Sequence, residues 1–269
     1  MAKVITFGNQ KGGVAKTTSS LNVGAALAMM GKKVLMIDID PQASLTIICG
    51  FSHSDETTPA LSLYDVLVPE HGKTVPIQDA ILPVPCHENL FLLPSDVILS
   101  RGEMVLFSLP AREAQLKTVL KPIMDDFDYI VIDCPPSLGL FTINALNASD
   151  YVIACCETSY MSYRGLQCFS ETIHDIQSNE LLNPNLKWLG TIATRHRDTV
   201  KDKVDILDAM ENTLCPPYDV PYNVIGVIKE LAETVKTEFE GIPVTVRRPS
   251  FINSIAYFDV AELIISQKD

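Results

Sequence analysis

The sequence predicts an α/β fold, with a doubly wound, mostly parallel sheet that carries helices on both faces. Short apolar runs rich in Val and Ile recur along the chain, and a stretch with helical spacing follows each of them. The first run leads directly into a glycine-rich loop and then a helix, as the first strand–loop–helix unit of such a sheet does. The 269 residues are 47% hydrophobic and 20% charged, as in ordinary soluble globular proteins, and we expect one domain over residues 1–269.

The predicted strands are short apolar runs, each bounded by turn residues. In chain order they cover residues 4–8, 34–40, 89–94, 129–135, 151–157, 189–195 and 218–223. The parallel arrangement follows from the helical stretches between them, because parallel strands need long crossover connections.

Three other segments have recognisable patterns. A helix over about residues 16–30 carries small residues that allow close packing on a sheet, namely Ala25, Ala26 and Ala28. Six prolines between Pro59 and Pro94 mark a loop-rich stretch with a short helix at 61–68, which we interpret as an excursion from the same domain. Residues 250–267 form a final helix that we expect to dock on the core.

Charge and composition exclude several classes of protein. The formal net charge of −12 argues against a surface coated in positive charge for nucleic-acid binding, although residues 187–203 hold five Lys or Arg against two Asp. The sequence shows neither a run of ~18 apolar residues nor a signal-peptide pattern, so we expect a cytoplasmic protein. The seven cysteines form no C-x-x-C pair, which favours reduced structural thiols over metal ligands.

The loop NQKGGVAKTT, residues 9–18, departs from the standard phosphate-binding pattern G-x-x-x-x-G-K-[ST]. Gln10 and Ala15 stand where that pattern has glycine, and Ala15 is tolerable there only if its φ is helix-like. The glycines fall elsewhere in the loop, and their flexible backbone can approach phosphate oxygens at the N-terminus of the following helix. We predict that the nucleotide-binding residues are Lys11, Gly12, Gly13, Val14, Ala15, Lys16, Thr17 and Thr18.

Within this loop, Lys16 would contact the β and γ phosphates and Thr17 would offer its hydroxyl to Mg²⁺. The alternative is a plain turn before a helix. The position between a strand and a helix, with lysine followed by threonine, favours the phosphate site.

Acidic residues follow two more strands, at the sheet edge where ligands bind in open α/β folds. Asp38 and Asp40 share a face because strand side chains repeat every two residues. Such a pair indicates Mg²⁺ coordination through water and orientation of an attacking water, although turn capping by Asp40 before Pro41 is the alternative. Asp133 ends the fourth predicted strand, where a P-loop nucleotidase holds its magnesium. The candidate metal residues are therefore Thr17, Asp40 and Asp133.

Three segments together resemble the ParA/Soj partition ATPases, within the ParA/MinD group whose phosphate-binding loop is deviant: KGGVAKTT, VLMIDIDPQAS and YIVIDCPPSLGLFTINALNASD. The similarity covers roughly the first 170 residues and continues more loosely through GTIATRHRD and VPYNV. The resemblance implies ATP and Mg²⁺ as cofactors and an ATP-dependent homodimer in which Lys11 reaches the partner's ATP. It also implies that Asp40 helps to activate water, so the candidate catalytic residues are Lys11, Lys16 and Asp40.

The resemblance further implies that the ATP dimer binds DNA without sequence preference, and that a ParB-like partner stimulates hydrolysis and release. The protein would then associate with the nucleoid. Two clusters are candidates for phosphate contacts: Arg195, Arg197, Lys201 and Lys203, and more weakly Arg247 and Arg248. For a charged run of this kind, a solvated helix face with i,i+4 ion pairs is the alternative.

Three other classes of ATPase are alternatives to a DNA-partition protein. A MinD-like membrane ATPase would need a basic amphipathic C-terminal helix, which residues 250–267 do not provide. An electron-transfer ATPase like the nitrogenase iron protein would need cysteine ligands, and Cys134 is the cysteine beside the phosphate site. The third is a partition-like ATPase that positions a protein cargo. Adenine contacts are expected from the late strands, near Arg195, Pro221 or Tyr222.

Overall fold

The computed structural model describes residues 1–51, 58–69, 73–215 and 220–267. The strands in these ranges are β1 Lys3–Gly8, β2 Val34–Asp38, β3 Leu82–Pro83, β4 Leu90–Leu93, β5 Tyr129–Asp133, β6 Tyr151–Glu157, β7 Lys187–His196, β8 Leu214–Cys215, β9 Val220–Pro221 and β10 Val224–Lys229. The helices are α1 Lys16–Met29, α2 Ser44–Ile48, α3 Leu63–Leu67, α4 Ile77–Ala80, α5 Leu99–Leu106, α6 Gln115–Leu120, α7 Leu140–Ala148, α8 Tyr160–Ser178, α9 Lys201–Asn212, α10 Ala232–Phe239, α11 Val244–Arg247 and α12 Ile252–Ser266.

The main sheet has eight strands in the order β10-β7-β6-β1-β5-β2-β4-β3. All neighbours are parallel except β3, which pairs antiparallel with β4. This architecture confirms the predicted α/β fold. Because β1 lies between β5 and β6, and β2 pairs with β5, the carboxyl ends of these four strands meet at one edge of the sheet.

Apolar residues cover both faces of the sheet, as expected for parallel strands that are buried on both sides. One core cluster joins the sheet to α1 and α12, and another joins it to the helices between α3 and α7. Ala25, Ala26 and Ala28 of α1 are buried as predicted. A Cβ added at Gly24 would lie 3.2 Å from the sulfur of Met36, which shows how closely α1 approaches the sheet.

The predicted helix at 61–68 is present as α3. Ser62 caps it: the Ser62 hydroxyl accepts from the Tyr64 N–H, and the Asp65 carboxylate accepts from the Ser62 N–H at 2.8 Å. Such a capping box stabilises a short helix that propensity alone would not hold. The last helix, α12, docks on α1 as predicted, with Tyr257, Val260 and other residues of one face buried.

The predicted strand over residues 218–223 is wrong as a strand of the main sheet. Val220–Pro221 pairs antiparallel with Leu214–Cys215 in a separate two-stranded sheet, and residues 218 and 219 lie outside the described residues. The edge strand is instead Val224–Lys229, which is mostly half-buried and pairs with β7 through two register shifts. In the described parts of the chain, no helix has both the length and the apolar character needed to cross a bilayer.

Candidate functional site

The loop between β1 and α1 is left-handed at two residues, with φ of 74° at Gly13 and 59° at Ala15. The expected helix-like φ at Ala15 is therefore wrong: this alanine has the backbone conformation that glycine readily adopts. A left-handed alanine costs about 1–2 kcal/mol. Two contacts oppose that cost, since the Ala15 carbonyl accepts from the Ser19 N–H at 3.0 Å and the Val14 carbonyl accepts from the Thr194 hydroxyl at 3.0 Å.

Lys16 lies at the start of α1 and points back over the loop. Its side chain is 7% exposed, and its ammonium donates to the Lys11 carbonyl at 3.2 Å. Thr17 and Thr18 follow in the first helical turn, where backbone N–H groups have no partner within the helix. An ammonium, free N–H groups and the positive end of the helix dipole are thus brought together, which is the arrangement that binds phosphate.

The Asp133 carboxylate is buried beside the first turn of α1. Its side chain is 1% exposed, and neither oxygen makes a well-formed hydrogen bond within the described residues. Burial raises the pKa of Asp133 to about 7, against the opposite influence of the Thr17 hydroxyl, the Lys16 charge and the Ser20 hydroxyl. Open carboxylate oxygens close to a threonine hydroxyl fit a hard cation such as Mg²⁺.

Asp38 is buried more deeply than Asp40, although the strand periodicity puts both residues on one face. It is fully buried, and one of its oxygens accepts from the Thr46 N–H at 2.9 Å and the Thr46 hydroxyl at 2.8 Å. Burial, followed by the charge of Asp133, raises the pKa of Asp38 to about 8. These contacts tie the end of β2 to α2, and a part for Asp38 in water-mediated Mg²⁺ coordination stays a prediction.

Asp40 lies two residues beyond the end of β2 and is half-buried. Its Oδ1 accepts from the Gln42 N–H at 2.9 Å, which is the turn-capping role that the sequence left as the alternative. Its charge adds to the burial that raises the pKa of Asp133, so the two carboxylates are electrostatic neighbours. The catalytic role of Asp40 stays a prediction.

Lys11 is held by groups of its own chain. Its Nζ donates to the Ser162 hydroxyl at 2.9 Å and lies 3.9 Å from Oε2 of Glu157. Its backbone N–H donates to Oδ1 of Asn9 at 3.0 Å, and the Asn9 amide donates to the Cys155 carbonyl at 2.6 Å. The extra lysine is therefore fixed to the end of β6 and the first turn of α8.

A cavity of about 430 Å³ adjoins the phosphate loop between α1, the end of β7 and the start of α10. Ala15 and Thr18 line it on the loop side, while Ile228 and Leu231 give it an apolar side. Arg195 also lines this cavity, as the adenine prediction required. Its size and mixed lining suit a nucleoside attached to phosphates on the loop.

The other predicted adenine contacts do not reach this cavity. Tyr222 is fully buried, with its ring 5.7 Å from Tyr163 and 6.3 Å from Trp188, and it does not line this cavity; an adenine contact near it stays a prediction. Pro221 pairs with Leu214 through the backbone, and its side chain lies outside the described residues.

Most of the predicted DNA-binding cations have acidic partners. In the first cluster, Nε of Arg197 lies 2.8 Å from Oε2 of Glu230, and Nζ of Lys203 lies 3.5 Å from a carboxylate oxygen of both Glu157 and Glu230. Lys203 also donates to the Arg195 carbonyl. Within the described residues, Arg195 and Lys201 have no ion pair, and both are exposed.

The second cluster is paired in the same way. Nε of Arg247 lies 3.8 Å from Glu240, and Nη1 of Arg248 lies 3.2 Å from Glu233. Four of the six predicted cations, Arg197, Lys203, Arg247 and Arg248, are thus ion-paired, but with residues distant in the chain and not in the i,i+4 pairs of the helix-face alternative. DNA contact by these residues stays a prediction.

Cys134 follows Asp133 directly but is only 1% exposed, and burial raises the pKa of its thiol well above the ordinary value. Over the described ranges, no three His, Cys, Asp or Glu side chains come together as a metal site. A Mg²⁺ ion at Thr17 and Asp133 would therefore take its remaining ligands from phosphate oxygens and water.

Four residues of this site escaped the sequence analysis: Asn9, Glu157, Ser162 and Thr194. Glu157 and Thr194 lie at the carboxyl ends of predicted strands, which was a usable signal. Ser162 and Asn9 had none, because their roles depend on the approach of α8 to the loop.

The chain is similar to known proteins over most of its length. Residues 2–188 match a family described as an AAA domain. The sporulation initiation inhibitor protein Soj of Bacillus subtilis is 41% identical over 194 residues, which are 72% of this chain and 73% of Soj. Several solved structures are similar to the chain over nearly all of its length.

The Cyanothece McdA(D38A)–ATP complex superposes with a TM-score of 0.84 at 25% identity, covering 100% of this chain and 98% of McdA. Cobyrinic acid a,c-diamide synthase from Mycobacterium smegmatis, with bound ADP and magnesium, has a TM-score of 0.77 at 32% identity, covering 98% and 94%. The septum site-determining protein MinD of Pyrococcus horikoshii, complexed with Mg-ADP, has a TM-score of 0.76 at 26% identity, covering 99% and 97%.

The family match over residues 2–188 includes the deviant phosphate loop and the ends of β2 and β5. On this match and on the similarity to Soj, the chain belongs to the Soj/ParA-type P-loop ATPases of the ParA/MinD group.

Proposed function

We propose that the chain is a Mg²⁺-dependent ATPase that dimerises around ATP, binds DNA in that state and drives plasmid or chromosome partition with a ParB-like partner. The observation that carries the ATPase is the buried, open-sided Asp133 carboxylate beside Lys16 and Thr17. A buried carboxylate with few well-formed hydrogen bonds is costly in its charged form, and a bound cation offsets that cost.

ATP fits the site as follows. The phosphates would lie on the loop N–H groups with Lys16 at the β and γ positions, and the nucleoside would enter the cavity lined by Arg195 and Leu231. Thr17 and Asp133 would hold Mg²⁺, which neutralises phosphate charge when bound. Support comes from the related structures solved with ADP and magnesium and with ATP.

Hydrolysis would transfer the γ-phosphoryl group to water. The water oxygen bonds to the γ-phosphorus as the bond to the β–γ bridging oxygen breaks, which gives ADP and phosphate. Asp40 would orient that water and accept its proton, an assignment supported by its half-buried position beside Asp133. Its second carboxylate oxygen stays available while Oδ1 caps the turn at Gln42.

Lys11 is the residue on which the proposed dimer depends. Lys16 already supplies the ammonium that a single phosphate site needs, so a second lysine on the loop can neutralise a triphosphate in a facing subunit. Nucleotide would then favour the dimer by contacts that exist only there, and loss of the γ-phosphate would release it.

DNA binding would follow from placing two positive patches side by side in the dimer. Arg195 and Lys201 are the exposed cations without an ion pair in the described part of the first cluster. Because most neighbouring cations are paired with acids, and the chain carries a net charge of −12, we expect weak binding with a strong salt dependence.

The MinD-like alternative finds little support in α12. Its apolar residues Tyr257, Val260 and Ala261 are buried against the core, so this face is not available to lipid. Sedimentation with anionic liposomes in the presence of ATP separates the two functions: co-sedimentation would favour a membrane ATPase.

The proposal is tested by light scattering with Mg²⁺ and either ADP or a non-hydrolysable ATP analogue, followed by binding to a DNA duplex of mixed sequence. We expect a monomer with ADP, and a DNA-binding dimer with the analogue. A monomer under both conditions contradicts the proposal.

A further inference from the structure

Lys11, the residue that the proposed dimer assigns to the partner's ATP, is bound within its own subunit. Its ammonium donates to the Ser162 hydroxyl at 2.9 Å and lies 3.9 Å from the Glu157 carboxylate. The Ser162 side chain is fully buried and also contacts the Ser159 hydroxyl at 2.9 Å, so it is a fixed acceptor. Glu157 is 20% exposed, which leaves its charge less screened than that of a surface carboxylate.

The loop and α8 are in close contact around this lysine. A Cβ added at Gly165 would lie 3.1 Å from Oδ1 of Asn9 and 3.4 Å from Cβ of Lys11. The same Asn9 oxygen accepts from the Lys11 N–H. Both the backbone and the side chain of Lys11 are therefore held against the first turns of α8.

Glu157 is shared between two lysines. Its Oε2 faces Lys11, and its Oε1 lies 3.5 Å from Nζ of Lys203, which is only 16% exposed. Lys203 in turn lies 3.5 Å from Glu230. Partial burial alone would raise the pKa of Glu230, but the charges of Lys203 and Arg197 lower it below its ordinary value. Glu157 thus interacts with both lysines at once, one at each oxygen, and its single negative charge is divided between them.

We infer that Ser162 and Glu157 form a holding site for Lys11 within the subunit, and that this site competes with the partner's triphosphate and sets the ATP concentration at which the dimer forms. The inference rests on the proposed ATP-dependent dimer. Lys11 must leave both acceptors before it can reach across the interface, so their contacts stabilise the monomer and oppose dimerisation. Ser162 and Glu157 are positioning residues that act through Lys11.

The test is a titration with a non-hydrolysable ATP analogue at fixed Mg²⁺ and protein concentration, with dimer formation followed by light scattering. Glu157→Gln and Ser162→Ala should each lower the midpoint concentration about two- to fivefold, the range expected for a partly exposed ion pair or one hydrogen bond. Analogue binding by the monomer is measured in parallel with a fluorescent nucleotide, and it should be unchanged.

Lys203→Gln should have the opposite effect. Without Lys203, the Glu157 carboxylate belongs to Lys11 alone, so the midpoint should rise. In the double variant Glu157→Gln with Lys203→Gln, the midpoint should equal that of Glu157→Gln, because the competition for the carboxylate no longer exists.

The control for net charge is Glu113→Gln, which removes one negative charge from a remote pair with Arg112. Its midpoint should match that of the parent. An equal decrease in Glu113→Gln would mean that general charge, and not release of Lys11, explains the effect, and the holding site would be rejected.

Two failures can be told apart. If Lys11→Ala dimerises like the parent, the proposed sandwich dimer is wrong. If Lys11→Ala is impaired while Glu157→Gln and Ser162→Ala keep the parent midpoint or raise it, the dimer stands and the holding site is wrong.

Discussion

Asp38 and Asp133 are directly opposed Cα partners on the neighbouring strands β2 and β5, and both side chains are buried. When two carboxyl groups are buried side by side, the negative charge of one makes ionisation of the other less favourable. Asp38 is satisfied by Thr46, whereas the oxygens of Asp133 have no well-formed partner in the described residues. The acid that faces the phosphate loop is therefore the one left open to a ligand.

The first prediction concerns pH. The pKa values of Asp38 and Asp133 are raised from 3.8 to about 8 and about 7, so the folded state binds more protons than the unfolded state between about pH 4 and pH 8. The free energy of unfolding of the nucleotide-free protein should then fall as the pH rises through this window. Urea denaturation at several pH values measures it.

The control for this dependence is Asp175→Asn, an exposed carboxylate on α8. It should keep the slope of the parent, while Asp133→Asn should make the slope shallower. A parent whose unfolding free energy is flat or rising from pH 4 to pH 8 contradicts the assignment.

The two loop lysines should differ in their effects. Lys16→Ala should abolish nucleotide binding, because it removes the buried ammonium beside the phosphate site. Lys11→Ala should leave nucleotide binding by the monomer intact but weaken dimerisation and hydrolysis. Isothermal titration and size-exclusion chromatography measure the two effects, with exposed Lys121→Ala as the control.

Asp40→Asn should slow ATP hydrolysis by about 10²–10⁴-fold, the usual contribution of a general base. The asparagine side-chain oxygen can still accept from the Gln42 N–H, so folding and ATP-dependent dimerisation should persist. Phosphate release is the measurement. A rate within a factor of two of the parent would limit Asp40 to its turn-capping role.

Ala15→Gly should preserve nucleotide binding and change the free energy of unfolding by no more than about 1 kcal/mol, because relief of the left-handed strain and the added flexibility of glycine oppose each other. Ala15→Val should destabilise by more than 1 kcal/mol, roughly, since a β-branched residue tolerates this φ poorly. Ala43, with φ of 53° outside the loop, offers a matched pair of variants. Comparable losses at both sites would confirm backbone strain as the cause.

The basic segment should contribute to DNA binding through charge. Arg195→Glu with Arg197→Glu should abolish retention on DNA, but it should also weaken nucleotide binding, because it adds two negative charges to the cavity beside the phosphate loop. Since both arginines line the nucleotide cavity, Lys201→Glu is the cleaner variant; it should weaken binding and reduce the salt slope by about 1. Unchanged DNA binding in these variants would redirect attention to Arg247 and Arg248.

The sequence predicted the parallel sheet, the phosphate loop and the open acid at Asp133 because these depend on local pattern and on the rule that strand ends meet at one edge. It missed β10, because VIGVIK is a mostly half-buried edge strand and its pairing with β7 is irregular. The hydrogen bond between Lys11 and Ser162 could not be predicted from the sequence either, because Ser162 is 151 residues away in the chain and only the packing of α8 brings it near.

The Thr194 hydroxyl of β7 donates to the Val14 carbonyl of the phosphate loop. The two residues are 180 positions apart in the chain, so a strand distant in sequence holds the loop in place. The Val14 peptide group is thus held in place by a contact of the chain itself. An anion that binds the peptide groups of the loop therefore has to order little of the chain, and little of its binding free energy is lost to that ordering. Tight binding is then compatible with rapid exchange of nucleotides.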